Sequence, residues 1–279
     1  MTQQGLHTAQ IRPAVQQMCG ERVAERVGVR RGHGSSVEEA RNQLYQRLSV
    51  GLRPVVVVDV GANYGFTAAI FARHFVNAEL ILVEPDPKLG GYIERNMKAN
   101  SVSNYRLVRA LCGNRNDAVT SFGVNPSSSQ DNRVRAMAGW ATVEVPSVTI
   151  SKLLEPYPDR PVFIKVDTQG FETQVFAGAE HYLAHSNDWF IKTEFGPHWL
   201  ESQGNSAVDL LTQLVAKYRV VEAPARTRFD RDSLGALFSD PLKTAQISAF
   251  VTHVRRLNDD GLGWVDLYVA PKGSNKALE

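Results

Sequence analysis

Apolar residues occupy nearly every position of two short stretches in this chain, and a turn containing glycine follows each of them. The first stretch, Val55 to Val60, consists of five valines and Asp59, and it precedes Gly61. The second stretch, Val162 to Val166, precedes a polar turn that ends at Gly170. Strands that are apolar on both faces are typical of a parallel sheet with helices on each side. The pattern therefore predicts two central strands of such a sheet.

Strand and helix patterns alternate along the rest of the chain. Apolar runs predict strands at 80–84, 105–111, 190–195, 219–222 and 264–270, and weaker alternation predicts added strands at 118–124 and 142–150. Helical periodicity predicts helices at 67–75, 88–100, 151–154 and 205–218. This order of elements is typical of an α/β protein with a doubly wound sheet.

Two of the predicted helices have clear apolar faces. In the helix at 67–75, a stripe toward the sheet is formed by Ala68, Phe71, Ala72 and Phe75. In the helix at 205–218, the predicted inner face consists of Val208, Leu211, Leu214 and Val215. Both helices are therefore expected to pack against the sheet.

The glycine turn after the first strand predicts a nucleotide-binding half-unit. A strand, a glycine turn and a helix in this order offer free backbone N–H groups to a ligand. A dinucleotide fingerprint requires G-x-G-x-x-G. Gly61 fits the first glycine, but Asn63 and Phe66 occupy the second and third positions. Their side chains would keep a pyrophosphate away from the backbone, so the pattern disfavours a dinucleotide.

An acidic residue ends the predicted strand at 80–84. Glu84 lies close to the ~20-residue separation from the glycine turn at which a carboxylate binds ribose hydroxyls. A carboxylate can accept two hydrogen bonds from the vicinal diol of a ribose. We therefore expect Glu84 to bind ribose, and we expect residues 110–113, after the third strand, to flank an adenine.

Composition narrows the class of protein only a little. The chain has 279 residues, 43% of them hydrophobic, which is enough for one large domain or two small ones. A net charge of +2 gives no general signal for nucleic acid or acidic lipid. Cys19 and Cys112 form neither a metal motif nor a disulfide framework, so we expect a reducing, cytoplasmic setting. We expect no signal peptide, because residues 1–15 contain no apolar core of that length, and no apolar run approaches the ~20 residues that span a bilayer.

The chain divides into an extension and one large domain. Residues 1–50 are interpreted as a basic helical extension, either a solvated cap on the sheet or a lid or dimer arm. Residues 51–279 are interpreted as the main domain, with an insertion at 224–263 that either shapes a substrate pocket or forms a surface excursion. The polar segment 125–139, which contains Arg133 and Arg135, is predicted to be a mobile loop.

Four motifs in this order resemble those of the FkbM family of methyltransferases. They are Asp-Val-Gly-Ala-Asn-x-Gly (59–65), Glu-Pro-Asp-Pro (84–87), Ile-Lys-Val-Asp-x-x-Gly-Phe-Glu (164–172) and Glu-Phe (194–195). The resemblance covers about residues 54–200 and a closing strand. It implies a class I, Rossmann-like methyltransferase with a seven-stranded sheet, which uses S-adenosylmethionine (SAM) to methylate a hydroxyl of a sugar, glycan or natural product. Gln169 and Ser151 stand where the family usually has glutamate and aspartate, so carboxylate roles are not carried over there.

The resemblance also implies a cofactor site and a catalytic rim. The turn backbone would lie along the methionine part of SAM, and Asp59 would support its ammonium end. The predicted cofactor-binding residues are Asp59, Gly61, Ala62, Asn63, Gly65, Glu84, Pro85, Ala110 and Asp167. Ligands of open α/β sheets lie beyond the carboxyl ends of the strands. The catalytic candidates expected there are Asp167, Glu194 and His198.

These candidates allow more than one chemistry. His198 is the first candidate for a base, because an unperturbed histidine has a pKa near ~6.5, and Asp167 is the second. Asp167 and Glu194 also resemble the magnesium ligands of catechol-type methyltransferases, but Gln169 removes a nearby charge, so we expect no obligatory metal.

Other functions stay open beside O-methyl transfer. A non-catalytic cofactor-binding partner in a biosynthetic complex is one alternative, and an NAD-dependent dehydrogenase is another. The expected partner is a small-molecule or glycan acceptor, with neither nucleic acid nor a membrane span. Oligomerisation could involve the N-terminal helices.

Overall fold

The fold is built on a mostly parallel seven-stranded sheet. The computed structural model describes residues 54–75, 77–223 and 240–273, so the predicted extension at 1–50 and most of the arginines of the insertion lie outside the described residues. The strands of the main sheet are β1 (Val56–Val60), β2 (Glu79–Val83), β3 (Tyr105–Val108), β7 (Val162–Val166), β8 (Trp189–Phe195), β9 (Arg219–Glu222) and β10 (Val265–Ala270). Their order is β3-β2-β1-β7-β8-β10-β9, and β10 runs antiparallel to both of its neighbours.

A smaller sheet follows β3 in the chain. Its strands are β4 (Leu111–Cys112), β5 (Val119–Val124) and β6 (Ala141–Val148), in the order β4-β6-β5. The predicted strand at 105–111 is therefore two strands, because the chain leaves the main sheet after Val108 and enters the smaller sheet at Leu111. Both added strands predicted from weak alternation are confirmed within a few residues.

Seven α-helices of the described residues connect these strands. They are α1 (Phe66–His74), α2 (Pro87–Ala99), α3 (Ile150–Leu154), α4 (Glu172–His185), α5 (Pro197–Ser202), α6 (Ala207–Lys217) and α7 (Ile247–Arg255). Short 3-10 helices lie at Ser129–Asp131 and Thr244–Gln246. None of the helices in the described part of the chain has the length and apolarity to span a bilayer.

Helices cover both faces of the main sheet. Alternate residues of β1 point to opposite sides, so Val56 and Val58 belong to one apolar cluster and Val57 to the other. The second cluster contains Phe71 of α1 and Ile93 of α2, whereas the first contains side chains of α3 to α7. This arrangement confirms the doubly wound sheet predicted from the sequence.

Two details differ from the sequence predictions. Val208 was expected on the inner face of α6, but 38% of it is exposed, and Leu210 is buried instead, because the helix turns its inner face by a fraction of a turn. The segment 125–139, which contains Arg133, was predicted to be a mobile loop. Asn132 and Arg133 are instead buried, and Arg133 exchanges two backbone hydrogen bonds with Gly123.

Candidate active site

A cavity of about 460 Å³ opens beyond the carboxyl ends of β1, β2, β7 and β8. Ligand pockets of proteins commonly have volumes of roughly 300–1,000 Å³. Residues from the turn after β1, the end of β2, the smaller sheet, the turn after β7 and the loop before β10 line it. The cavity therefore lies at the edge of the sheet where ligands of open α/β proteins bind.

The turn between β1 and α1 forms one wall of the cavity. Gly61 has φ 76°, and a Cβ atom there would lie 1.9 Å from the carbonyl oxygen of Asp167, so no side chain fits. The N–H groups of Gly61 and Ala62 donate to the carbonyl of Val83, at 3.0 and 3.1 Å. The expectation of free N–H groups at the turn is wrong for these residues, because the end of β2 already accepts from them.

Glu84 lines the cavity at the end of β2, and it is 5% exposed. Its Oε2 accepts a hydrogen bond from the backbone N–H of Asn63 at 2.8 Å, and its Oε1 accepts one from the N–H of Asp86 at 2.9 Å. Burial raises the pKa of Glu84 to about 7, although these two N–H groups favour the charged form. Each carboxylate oxygen retains a lone pair that can accept from a ribose hydroxyl.

A buried lysine joins the two central strands next to the cavity. Lys165 Nζ lies 3.2 Å from Asp59 Oδ1 and 3.4 Å from Asp167 Oδ2, and it donates a hydrogen bond to the carbonyl of Gly61 at 2.9 Å. Burial alone lowers the pKa of Lys165, but the charges of Asp59 and Asp167 outweigh it and leave the pKa raised. The lysine therefore stays charged and fixes the glycine turn relative to β7.

Lys165 was part of a motif but was not predicted as a site residue. The available signal was a cation inside an otherwise apolar strand, in register with Asp59 of the neighbouring strand. A buried charge requires a partner, and the paired position of a parallel strand is a natural place for one. Asp59 itself is 1% exposed and lies behind Lys165, outside the cavity wall.

Glu194 lines the cavity at the end of β8. Among the described residues, its carboxyl group makes neither a hydrogen bond nor an ion pair. Burial raises its pKa well above the ordinary carboxyl value, and the negative charge of Asp167 raises it further. Asp167, at the end of the neighbouring strand, lines the same cavity and accepts a hydrogen bond from Gln169 at 3.1 Å. A carboxyl group without a partner beside a cavity is placed to take part in general acid–base chemistry.

The outer part of the cavity carries two tryptophans. Trp199 lines it from α5, and Trp264, which is 50% exposed, lines it from the residue before β10. The guanidinium of Arg133 lies 4.9 Å from the centroid of the Trp199 ring. His198 precedes Trp199 but is exposed and does not belong to the cavity wall.

The structure brings together most of the predicted site residues but not all of them. The predicted residues that line the cavity are Gly61, Ala62, Asn63, Glu84, Pro85, Asp167 and Glu194. Gly65 is buried behind the turn and ends it as the N-cap of α1, and Ala110 is buried beside Leu111 and Cys112, which do line the cavity. Within the described residues, no group of three His, Cys, Asp or Glu side chains is arranged to hold a metal ion.

Comparisons with known proteins give one family match and several structural similarities. The sequence-family model of the methyltransferase FkbM domain matches residues 59–220, which is more than half of the chain. No curated protein sequence matches. Precorrin-6y C5,15-methyltransferase from Geobacter metallireducens is 13% identical, over 84% of this chain and 89% of that one, with a TM-score of 0.41.

Two further solved structures have comparable scores. An rRNA methylase from Streptococcus thermophilus is 6% identical over 86% of this chain and 99% of its own, with a TM-score of 0.42. Geranyl diphosphate methyltransferase in complex with SAM is 14% identical over 85% of this chain and 86% of its own, with a TM-score of 0.40.

Proposed function

The chain belongs to the FkbM methyltransferase family, and on that premise we propose that it transfers the methyl group of SAM to a hydroxyl oxygen of a sugar, glycan or natural product. The observation that carries this proposal is the cavity itself. At one end it has the carboxylate of Glu84, which two backbone N–H groups orient, and at the other the carboxyl group of Glu194, which has no partner among the described residues. One end suits the cofactor and the other suits the activation of a hydroxyl.

SAM is the methyl donor of the reaction, and it supplies an electrophilic methyl group on a sulfonium sulfur. Glu84 would hold the ribose through its two carboxylate oxygens. The methionine part would lie along Gly61 to Asn63, near the N-terminus of α1, which no side chain of the described residues caps. The uncapped helix end favours a carboxylate there.

Glu194 is the residue best placed to take the proton of the acceptor hydroxyl. It lines the cavity and has no partner among the described residues, and burial and the charge of Asp167 raise its pKa well above the ordinary carboxyl value. His198, the first candidate from the sequence, lies outside the cavity wall, so we assign the base to Glu194 with Asp167 as its neighbour. An aliphatic hydroxyl is a weak acid, so proton acceptance and in-line positioning are both required of the protein.

The outer cavity supports an acceptor with an apolar ring face and hydroxyl groups. Trp199 and Trp264 offer large flat surfaces, and Asp260 and Asn258 offer polar groups beside them. Aromatic side chains bind one apolar face while neighbouring polar groups fix orientation. A sugar ring or a polyhydroxylated natural product meets both requirements.

The acceptor can be identified by comparing metabolites of a strain that lacks the gene with those of its parent. A methyl ether should disappear from the deletion strain, and the corresponding free hydroxyl compound should accumulate. Purified protein and SAM should convert that compound back to the ether. Transfer to a nitrogen or carbon atom instead would contradict the O-methylation part of the proposal.

The base is tested with that acceptor by a pair of variants. Glu194→Gln should lower kcat by roughly 10²- to 10⁴-fold with cofactor affinity preserved, as removal of a general base does. His198→Ala serves as the control at the same rim and should retain full turnover. The reverse pattern would return the base to His198.

A further inference from the structure

A segment between β5 and β6, which we call the strap (Ser128–Val134), lines the part of the cavity next to Asn63 and Asp86. It contains a 3-10 helix at Ser129–Asp131. Five strap residues line the cavity, namely Ser129, Gln130, Asp131, Asn132 and Val134. None of them lies in the motifs that carry the family resemblance.

The strap makes one side-chain hydrogen bond to each of the two cofactor motifs. Ser129 Oγ donates to Asn63 Oδ1 at 3.0 Å, and Asn63 belongs to the turn after β1. Asn132 Nδ2 donates to Asp86 Oδ2 at 2.9 Å, and Asp86 follows the end of β2. Asn132 is 8% exposed and Asp86 is 3% exposed, so water competes little for this second bond.

Both strap contacts converge on one carboxylate. Asn63 and Asp86 are the two residues whose backbone N–H groups bind Glu84, one at each carboxylate oxygen. A buried carboxylate depends on such N–H donors for its charge and its orientation. The strap therefore contacts both residues that orient Glu84 without contacting Glu84 itself.

We propose that Ser129 and Asn132 are positioning residues of the cofactor site, which hold Asn63 and Asp86 so that Glu84 presents both carboxylate oxygens to the cofactor ribose. This rests on the proposed function, in which Glu84 binds that ribose. The cofactor affinity of the protein then depends on a segment from the smaller sheet. Burial raises the pKa of Glu84 to about 7. Small changes in the hydrogen bonds from the N–H groups of Asn63 and Asp86 therefore change the fraction of Glu84 that is ionised at neutral pH.

The strap is anchored independently of these two contacts, so single substitutions should not unfold it. Arg133 and Gly123 exchange backbone hydrogen bonds of 2.8 and 3.1 Å. The Arg133 guanidinium lies between the rings of Trp140 and Trp199, at 5.2 and 4.9 Å from their centroids. Loss of the Ser129 hydroxyl leaves all of these interactions in place.

The first experiment compares two serines of one loop by calorimetry with S-adenosylhomocysteine (SAH) as the probe. Ser129→Ala should weaken SAH binding about fivefold, the effect of one neutral hydrogen bond. Ser127→Ala is the matched control, because Ser127 is exposed and lies outside the cavity wall. Its SAH affinity should stay within about twofold of wild type, since isolated surface substitutions have small effects.

The second experiment uses an isosteric change that responds to pH. Asn132→Asp places a carboxylate 2.9 Å from that of Asp86, so at pH 8 SAH binding should fall about 10- to 100-fold relative to wild type. At pH 5.5 a proton shared by the two carboxylates restores a hydrogen bond, so the ratio of variant to wild-type affinity should recover. The other ionisable groups nearby, Glu84, Asp131 and Arg133, are present in both proteins. The added carboxylate raises the pKa of Glu84 further, as the charge of Asp86 already does, and this weakens binding at pH 8 more than at pH 5.5.

The outcomes separate this inference from the proposed function. Wild-type protein that binds neither SAM nor SAH would refute the proposed function and the inference with it. Wild-type binding together with unchanged affinity in Ser129→Ala and Asn132→Asp would overturn the inference alone. A loss in Asn132→Asp that is equal at pH 8 and pH 5.5 would also overturn it, because a purely structural defect does not depend on a shared proton.

Discussion

Replacement of Glu84 by glutamine tests the cofactor site most directly. The glutamine is nearly isosteric, but it removes the charge that the N–H groups of Asn63 and Asp86 support. It also turns one carboxylate oxygen into an NH₂ group, which cannot accept from a ribose hydroxyl. The loss of two charge-assisted hydrogen bonds to the ribose should cost on the order of 2–3 kcal/mol. That corresponds to roughly 30- to 150-fold weaker binding of SAM and SAH.

The wild-type affinity should also depend on pH in a direction set by Glu84. Its pKa is raised to about 7, and the ionised form is the one that accepts from both ribose hydroxyls. Affinity should therefore fall about tenfold between pH 8 and pH 6, as the ionised fraction falls. In Glu84→Gln this dependence should be absent. Titration calorimetry with SAH at several pH values measures both effects.

The stability of the ligand-free protein should change with pH in the opposite direction to the affinity, so it should fall as pH rises. The folded-state pKa of Glu84 lies above its ordinary value of 4.5, so its contribution to stability is present at low pH and is lost as pH rises through about 7. Relative to Glu84→Gln, wild type should lose on the order of 2 kcal/mol of unfolding free energy between pH 5 and pH 8. Chemical denaturation of both proteins gives this difference directly.

A substitution of one surface carboxylate serves as the control for Glu84→Gln. Glu94→Gln removes a carboxylate of α2 whose partner is Arg109, and both side chains are about half exposed. It should leave SAH affinity and its pH dependence unchanged. If Glu84→Gln bound SAH as tightly as wild type, with the same pH profile, Glu84 would have no role in ribose binding.

Three further predictions concern the turn, the buried lysine and metal. Gly61→Ala should lower the free energy of unfolding by at least about 2 kcal/mol and abolish SAH binding, because Gly61 has a positive φ and a Cβ there clashes with Asp167. Gly91→Ala is the control, because a Cβ at Gly91 meets nothing within 4 Å, and it should leave the melting temperature unchanged or raise it. Lys165→Met should destabilise the protein by about 3–5 kcal/mol, because it leaves Asp59 buried without its partner. Its register partner Lys192 is in a pair whose side chains are 24% and 31% exposed, so Lys192→Met should cost only about 0–1 kcal/mol. Denaturant titration that ranks the two variants the other way would contradict the burial argument. EDTA should leave methyl transfer unchanged, and recovery of lost activity by added magnesium would show that a metal is required after all.

Periodicity and motif spacing predicted the central sheet well because its central strands are buried at every position and mostly apolar. β1 and β7 have no solvent-facing side, so their sequences contain few competing signals. The carboxyl ends of parallel strands meet at one edge, which is why Glu84 and Glu194 were placed at one rim without any contact being known.

The buried position of the strap was not predicted from the sequence, for the opposite reason. Its serines, asparagine and arginine look like solvent-exposed loop residues, but Asn132 and Arg133 are buried by partners far away in the chain. Single-sequence patterns report polarity, and they cannot report that a polar group has found a distant hydrogen-bond partner. The prediction of free N–H groups at the turn was wrong for the same reason, because the carbonyl of Val83 accepts from two of them.

The location of Cys112 makes the thiol a natural reporter of opening. It is 2% exposed on the cavity wall, and burial raises its pKa to about 12. A thiol of pKa ~8.5 reacts readily at pH 8, so labelling of Cys112 requires the site to open first. In a Cys19→Ser background, the rate of labelling would measure how often the cofactor pocket opens. Its slowing by SAH would measure how firmly the ligand keeps that pocket closed.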